Sequence, residues 1–244
     1  MKQSAAEALI GEEYVFDPVA FAERVVVEFH RLTRSPGWRS HTPGHGSRDG
    51  ACHVESCRVA GVFAPSGVLL TRSTGMVRMP AQELFDHLVS PEGYAVIDPM
   101  SDPRDHLAPP VERYTWKPGC RLEAASSRAR LPFMREREFV VLNAIDPANR
   151  RFVSKSILHA SIPGGSRYSP EASRKNGAIR ALNTFGIEVE SADPGHSRVR
   201  CVNYADLAGI IPAGPLNLIN TRFFLQAFHR RMERLARQAR AGRV

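Results

Sequence analysis

The sequence predicts an α+β fold, a curved antiparallel β-sheet of about nine strands wrapped on a long C-terminal α-helix. Three observations predict it. Short β-rich runs recur along most of the chain, separated by turn signals such as Ala64-Pro-Ser-Gly67, Pro118-Gly119, Asp146-Pro-Ala-Asn149 and Asp193-Pro-Gly195. Helical periodicity is confined to residues 19–32, residues 80–89 and the C-terminal stretch. That last stretch pairs an apolar half with a basic one, which suits a helix laid on a sheet. Strands joined by hairpin-type turns, rather than alternating with helices, make an antiparallel sheet the consistent arrangement.

With 244 residues, the chain can bury one good core, as a single large domain or a domain plus an extension. We divide it into an N-terminal extension over 1–50, carrying one amphipathic helix and a loop, and a ligand-binding domain over 51–244. Hydrophobic residues at 43% and charged residues at 24% are ordinary for a globular protein. No apolar run approaches the roughly 20 residues that span a bilayer. The first residues, MKQSAAEALIGEEYVFD, lack an apolar stretch behind a basic start and are acidic, so a cytoplasmic location is expected. The net charge is +8, and 29 of the 33 basic residues are Arg scattered along the chain, as on a solvated surface. Arg222, Arg230, Arg231, Arg234, Arg237, Arg240 and Arg243 are the exception, crowded at the C-terminal helix against the single Glu233. Cys52, Cys57, Cys120 and Cys201 form no metal pattern, and His41 and His45 sit in a Gly/Pro-rich loop without a third ligand nearby. Neither a metal nor a cofactor is expected.

Taken in order, residues 1–16 read as loosely structured. Asp17-Pro18 is a helix start, with Asp as cap and Pro at the first position. Phe21, Val25, Val26 and Phe29 then mark one face of a helix running to Leu32. Residues 35–50 are a Gly/Pro/Ser/His loop. Strands are predicted over 52–63 and 68–78, a short helix over 80–89, and strands over 111–116, 121–130, 135–145 and 151–160. A loop over 162–176 leads to two long strands, 178–190 and 198–204. Asp206-Leu-Ala-Gly-Ile-Ile-Pro212 turns out of the sheet, and Pro215 opens the final helix, where the amide it lacks would have no partner. Leu216, Ile219, Phe223 and Ala227 recur there at helical spacing, with Asn220, Phe224 and Phe228 alongside.

Strand alternation assigns faces once charged residues are sent to solvent. Arg198 and Arg200 outward send Val199, Cys201 and Asn203 inward; Lys155 outward sends Ser154, Ser156 and Leu158 inward. Phe139, Val141 and Asn143 share a parity with Arg137, which must then sit at the end of its strand. The remaining inward set is Ala181, Asn183, Phe185, Ile187 and Val189, and Leu216, Ile219, Asn220 and Phe223 face it from the helix. A solid core prefers Leu, Ile, Val and Phe, whereas these sets carry Ser154, Ser156, Asn143, Asn183 and Asn203. Buried polar groups without partners cost about 1–3 kcal/mol each. Such a face fits a cavity that takes an apolar ligand with a polar end, or a closed core whose amides bond one another.

Four stretches in order narrow the choice: Arg137-Glu-Phe-Val140, Gly177-Ala-Ile-Arg-Ala181, Asp206-Leu-Ala-Gly-Ile-Ile-Pro212 and the amphipathic final helix. Together they resemble a START domain, the lipid-binding module of steroidogenic-acute-regulatory-type proteins, over roughly residues 52–240. The resemblance implies a helix-grip fold that holds one lipid of the sterol, phospholipid or ceramide class in a tunnel gated by the C-terminal helix. It implies lipid transfer without catalysis and favours the cavity. It also differs from the cholesterol carriers: Asn143 and Asn183 stand where those carriers have a pocket Arg and a pocket His, so the ligand class stays open. Phe133 and Met134, in the Leu131-Pro-Phe-Met134 loop, are candidates for a gate that dips into a membrane. The Arg-rich helix tail is a candidate for transient contact with anionic headgroups. The expected partners are thus a lipid and a membrane surface, with no nucleic acid, for a monomeric protein. The alternative is an enzyme of a related helix-grip fold, a cyclase or hydrolase acting on a hydrophobic substrate. It needs a paired acid/base or nucleophile on the inward face, and His159, His196 and Asp206 are poorly placed for that.

Overall fold

The computed structural model describes residues 13–14, 17–36, 38–40, 52–57, 69–93, 110, 112–129, 136–158, 179–207, 213–218 and 226–241. Among these, the strands are β1 (Glu13–Tyr14), β2 (Arg39–Ser40), β3 (His53–Cys57), β4 (Leu70–Val77), β5 (Glu112–Tyr114) and β6 (Arg121–Ala129), then β7 (Arg137–Asp146), β8 (Arg151–Leu158), β9 (Ile179–Arg180), β10 (Leu182–Asp193) and β11 (His196–Asp206). The helices are α1 (Pro18–Arg34), α2 (Ala81–Leu88), α3 (Ala213–Leu218) and α4 (Gln226–Arg240). Nine strands form one open antiparallel path, β2-β3-β4-β11-β10-β8-β7-β6-β5, which is the α+β sheet the turn signals predict.

Two short pairings depart from the hairpin scheme. β1 runs parallel to the end of β8, Glu13 opposite Ile157, so part of the segment read as loosely structured joins the sheet. β9 runs parallel to the start of β7, Arg137 opposite Ile179. Both use stretches of β7 and β8 that lie beyond the ladder those two strands share, where backbone groups would otherwise lack partners. The remaining ladders follow the turns: the β10–β11 hairpin closes at Asp193-Pro-Gly195, with the Asp193 carboxylate accepting from the Gly195 amide at 2.9 Å.

The sheet is covered on both sides, by two separate apolar clusters. On one, Phe21, Ala22, Val25, Phe29 and Leu32 of α1 meet Leu122, Val140, Leu142, Val153, Val202 and Tyr204. The cap is as the sequence predicts: the Asp17 carboxylate accepts from the Val19 and Ala20 amides at 3.0 Å, with Pro18 in the first turn. On the other side, α2 and α4 bring Leu84, Phe85, Leu88, Phe228, Met232, Leu235 and Ala236 against Ile145, Phe152, Phe185, Ile187, Val189, Val199 and Cys201. We refer to these as the α1 face and the α4 face.

Two expectations are corrected here, and one is met. Lys155 does lie on the opposite face from Ser154 and Ser156, but that face is not solvent. Lys155 is 1% exposed beneath α1, with Nζ 4.8 Å from the Phe21 ring centre. Arg137 opens β7, as its parity requires, and is buried there, its Nε donating to the Leu207 carbonyl at 2.5 Å. The helix predicted to open at Pro215 begins at Ala213, which leaves Pro215 within the first turn, where its missing amide still costs nothing.

Candidate ligand-binding face

The strand registers place the inward residues in rows across the α4 face. One row runs Ser56, Thr71, Asn203, Phe185, Ser154, Asn143 and Glu123 over β3, β4, β11, β10, β8, β7 and β6. The next, one two-residue step away (about 7 Å), runs Val54, Ser73, Cys201, Ile187, Phe152, Ile145 and Arg121. The first row is polar apart from Phe185, whereas the second is apolar apart from Ser73 and the terminal Arg121. A polar band and an apolar band therefore lie side by side on the same face, and Phe185 straddles the boundary. Its ring packs edge-on against Phe228 of α4 at 5.6 Å and against Phe152 at 6.1 Å.

The polar band is buried but incompletely bonded. Asn203 is 1% exposed, and its Nδ2 finds no hydrogen-bond partner among the described residues. Asn143 Oδ1 is likewise buried and without a partner. The Thr71 hydroxyl is used, donating to the Asn203 carbonyl at 2.9 Å, and the Ser156 hydroxyl accepts from the Asn183 amide at 2.8 Å, prolonging the β8–β10 ladder. An Asn side chain held from water with an empty valence carries a cost of about 1–3 kcal/mol. Two of them lie three strands apart on one row.

The structure brings together most of the predicted lining. Asn143, Ser154, Phe185 and Asn203 share the polar row, Cys201 sits in the apolar row, and Val199 lies opposite Gly75 in the row beyond it. Val141 faces Ser156, and Asn183 faces Ala205. Ala181 precedes β10, fully buried, its amide donating to the Glu138 carbonyl at 2.9 Å. Phe139 differs: it is half-buried and packs against the cluster of the α1 face. The side chains of Leu158 and Leu216 lie outside the described residues, as do Ile219, Asn220, Phe223 and the loop residues Phe133 and Met134. So do His41, His45 and His159. His196 lies in the β10–β11 turn, Nδ1 at 2.8 Å from the Asp193 carboxylate. No group of three metal-ligating side chains occurs among the described residues.

His229 escaped the sequence reading. It lies on α4, 5% exposed, with Nε2 2.9 Å from the Ser73 hydroxyl in the apolar row. Its ring is seated on Gly75, where a Cβ would overlap the imidazole. Burial pushes its pKa down to about 4. Nδ1 has no partner among the described residues. The spacing projected from Leu216, Ile219 and Phe223 puts Ala227 on the buried side, but Ala227 is only half-buried. The packed positions are instead Phe228, His229, Met232, Leu235 and Ala236. The 228/232/235/236 pattern was the available signal, and it puts His229 on the flank of the buried stripe.

No protein-family model matches this sequence, and no curated protein matches it. Solved structures do. The human StAR-related lipid transfer protein 5 superposes with a TM-score of 0.69 at 18% identity, over 91% of this chain and 98% of that one. Human STARD10 gives 0.64 at 16% identity, over 88% and 80%. A STAR-related lipid transfer protein from Xanthomonas axonopodis gives 0.54 at 14% identity, over 83% and 99%. This chain has the START fold. The agreement extends over most of its length, so the START resemblance drawn from four short motifs holds at the level of the whole fold.

Proposed function

We propose that this protein binds one lipid between the α4 face and the C-terminal helix, and carries it without changing it chemically. The observation that carries this reading is the adjacency of the two rows. The apolar row, covered here by α2 and α4, becomes a floor for a hydrocarbon body when α4 is displaced, at about 0.8 kcal/mol per buried CH₂. The polar row supplies Asn143, Ser154 and Asn203 for its polar end, with two amide atoms still unpartnered. Both the START-fold neighbours and this amphipathic face support the reading. Those side chains are neutral, and they suit a polar end with hydroxyl, carbonyl or amide character. The sterol-type Arg and His positions carry Asn143 and Asn183, in keeping with that preference.

We further propose that the protein works from the aqueous phase and visits anionic membranes as a monomer. Arg230, Arg234, Arg237 and Arg240 are exposed on α4, each worth about 1 kcal/mol near an anionic surface. No helix among the described residues is long and apolar enough to cross a membrane. Cys52, Cys120 and Cys201 are free thiols, consistent with a cytoplasmic setting.

The enzyme alternative has a specific point to answer, since a histidine does face the candidate site. His229 and Ser73 are at hydrogen-bond distance, as a nucleophile and base would be. Yet among the described residues no group orients Nδ1, and a pKa near 4 makes the imidazole a weak base at neutral pH. The carrier reading is the better supported.

Native mass spectrometry of the purified protein, followed by lipid extraction, tests it. The expected result is a single bound lipid at one-to-one stoichiometry, with occupancy reduced in Asn143→Leu and Asn203→Leu. Protein that is ligand-free from its host and takes up no lipid from mixed vesicles would overturn the proposal.

A further inference from the structure

Asn143 and Asn203 each keep one buried amide atom without a partner among the described residues, but the two are not neighbours. The row between them passes through Ser154 on β8 and Phe185 on β10. Three strand spacings put the two asparagines about 14 Å apart. One hydroxyl, carbonyl or amide group cannot bond both through hydrogen bonds of about 2.9 Å. The two orphaned atoms are also of opposite kind, since Asn203 Nδ2 donates and Asn143 Oδ1 accepts.

Their register neighbours do not fill either valence. Beside Asn203, the Thr71 hydroxyl already donates to the Asn203 carbonyl at 2.9 Å, and the other neighbour is the Phe185 ring. Beside Asn143 stands Glu123, whose carboxylate can only accept, as Asn143 Oδ1 does; its ion pair is with the exposed Arg113 at 3.7 Å. On the side away from the apolar row, the polar row is bordered by Ala125, Val141, Ser156, Asn183 and Ala205. Three of these five are Ala or Ser, and Ala125, Asn183 and Ala205 are only half-buried. The floor beside the two amides is therefore built of short side chains, and a body crossing the strands from one amide to the other would lie over it.

We propose that the ligand is polar at both ends: an elongated, ring-built molecule lying across the strands, its hydroxyl on Asn143 and its carbonyl on Asn203. This rests on the carrier reading and narrows it, replacing one polar end by two, roughly 10–14 Å apart. The ligand's donor meets the orphaned acceptor and its acceptor meets the orphaned donor, so the orientation is fixed. Turned end for end, it would set a carbonyl oxygen against Asn143 Oδ1 and leave both unpaired. A lipid with one head and a hydrocarbon tail would leave one of the two amides buried and unbonded. A flexible chain pinned at both ends gives up its rotamer freedom, whereas fused rings carry the required spacing in their bonds.

Calorimetric binding of four probes to the full-length protein tests this. They are a fused-ring hydroxy-ketone with its oxygens roughly 10–14 Å apart, the same skeleton without the ketone, the same without the hydroxyl, and a single-headed long-chain alcohol. The hydroxy-ketone is expected to bind one-to-one, and each of the other three about ten-fold more weakly or worse. In Asn203→Leu, removing the ketone should no longer matter while removing the hydroxyl still does; Asn143→Leu should show the reverse. If either variant does not fold, the wild-type series decides alone. A one-oxygen analogue or the single-headed alcohol binding the wild type as tightly as the hydroxy-ketone overturns the two-ended ligand and leaves the carrier reading standing. Binding of none of the four overturns it too, and the carrier reading falls with it only if mixed vesicles also yield no bound lipid.

Discussion

The two helices that sandwich the sheet are docked by contrasting means. Each lays an aromatic ring over a glycine: Phe29 of α1 over Gly186, and His229 of α4 over Gly75. On the α1 side Trp116 Nε1 lacks a partner among the described residues, but the buried charge is fully paired. Glu188, 2% exposed, is held by Arg34 at 2.9 Å and Arg151 at 2.8 Å, with Arg200 at 3.7 Å. Arg34 also reaches Glu190 at 2.7 Å, and Arg72 donates to the carbonyls of Leu32 and Ser35 at the end of α1. Among the described residues, the α4 side leaves Asn143, Asn203, His229 and Gln238 each with an unpartnered atom. A closed interface satisfies its polar groups because each failure costs about as much as a hydrogen bond returns. An interface that must admit a guest or come apart keeps some unsatisfied. On the proposed reading, the α1 layer is permanent structure and the α4 layer is the working surface.

The contrast can be broken at its strongest point first. Phe29→Ala empties the space over Gly186 and should cost about 3–5 kcal/mol of stability in chemical denaturation. A loss below about 1 kcal/mol would mean that α1 is not part of the permanent core. Glu188→Gln should cost about 2 kcal/mol, because three guanidinium groups lose a shared carboxylate while remaining partly in water.

The same residue sharpens the comparison through pH. Burial by itself would raise the Glu188 carboxyl, but hydrogen bonds and charges from Arg34 and Arg151 outweigh it and hold the pKa below 4.5. Its contribution is therefore present above about 4.5 and lost only as pH falls below that value. His229 begins to give way near 6.5. An acid titration followed by hydrogen exchange should release 226–240 before 18–34, and the reverse order would contradict the assignment of the two layers.

Smaller effects discriminate further. Asn203→Leu removes an unpaired buried amide and should leave the ligand-free protein unchanged or more stable by about 1 kcal/mol. A loss of 2 kcal/mol in that variant would show that the amide belongs to a closed core. Asp17→Ala removes the cap of α1 and should cost about 1 kcal/mol, detectable as a lower denaturation midpoint with unchanged ligand content.

Much of the sheet was legible in the residues. Turn tripeptides marked the hairpins, and the parity of Arg198 and Arg200 sent Val199, Cys201 and Asn203 to the α4 face. The same logic placed Ser154 and Ser156 there too, although Lys155 was sent to water and found under α1. Alternation reports which residues share a face, but not what covers it. His229 was missed for a related reason: the helical phase projected from 216–223 does not carry to 228–236, and only the docked helix shows which stripe meets the sheet.

From the chain alone came the antiparallel plan, the two flanking helices, the cap at Asp17 and the mixed polarity of one face. These follow from local rules of φ/ψ preference, side-chain alternation and periodicity that act over a few residues. What required the folded molecule was the alignment of Asn143, Ser154 and Asn203 into one row beside an apolar one, the pairing of Glu188 with guanidinium groups from three elements, and the seating of His229 on Gly75. Each joins residues tens to well over a hundred positions apart, whose meeting is set by strand register and helix docking, and no local preference encodes it.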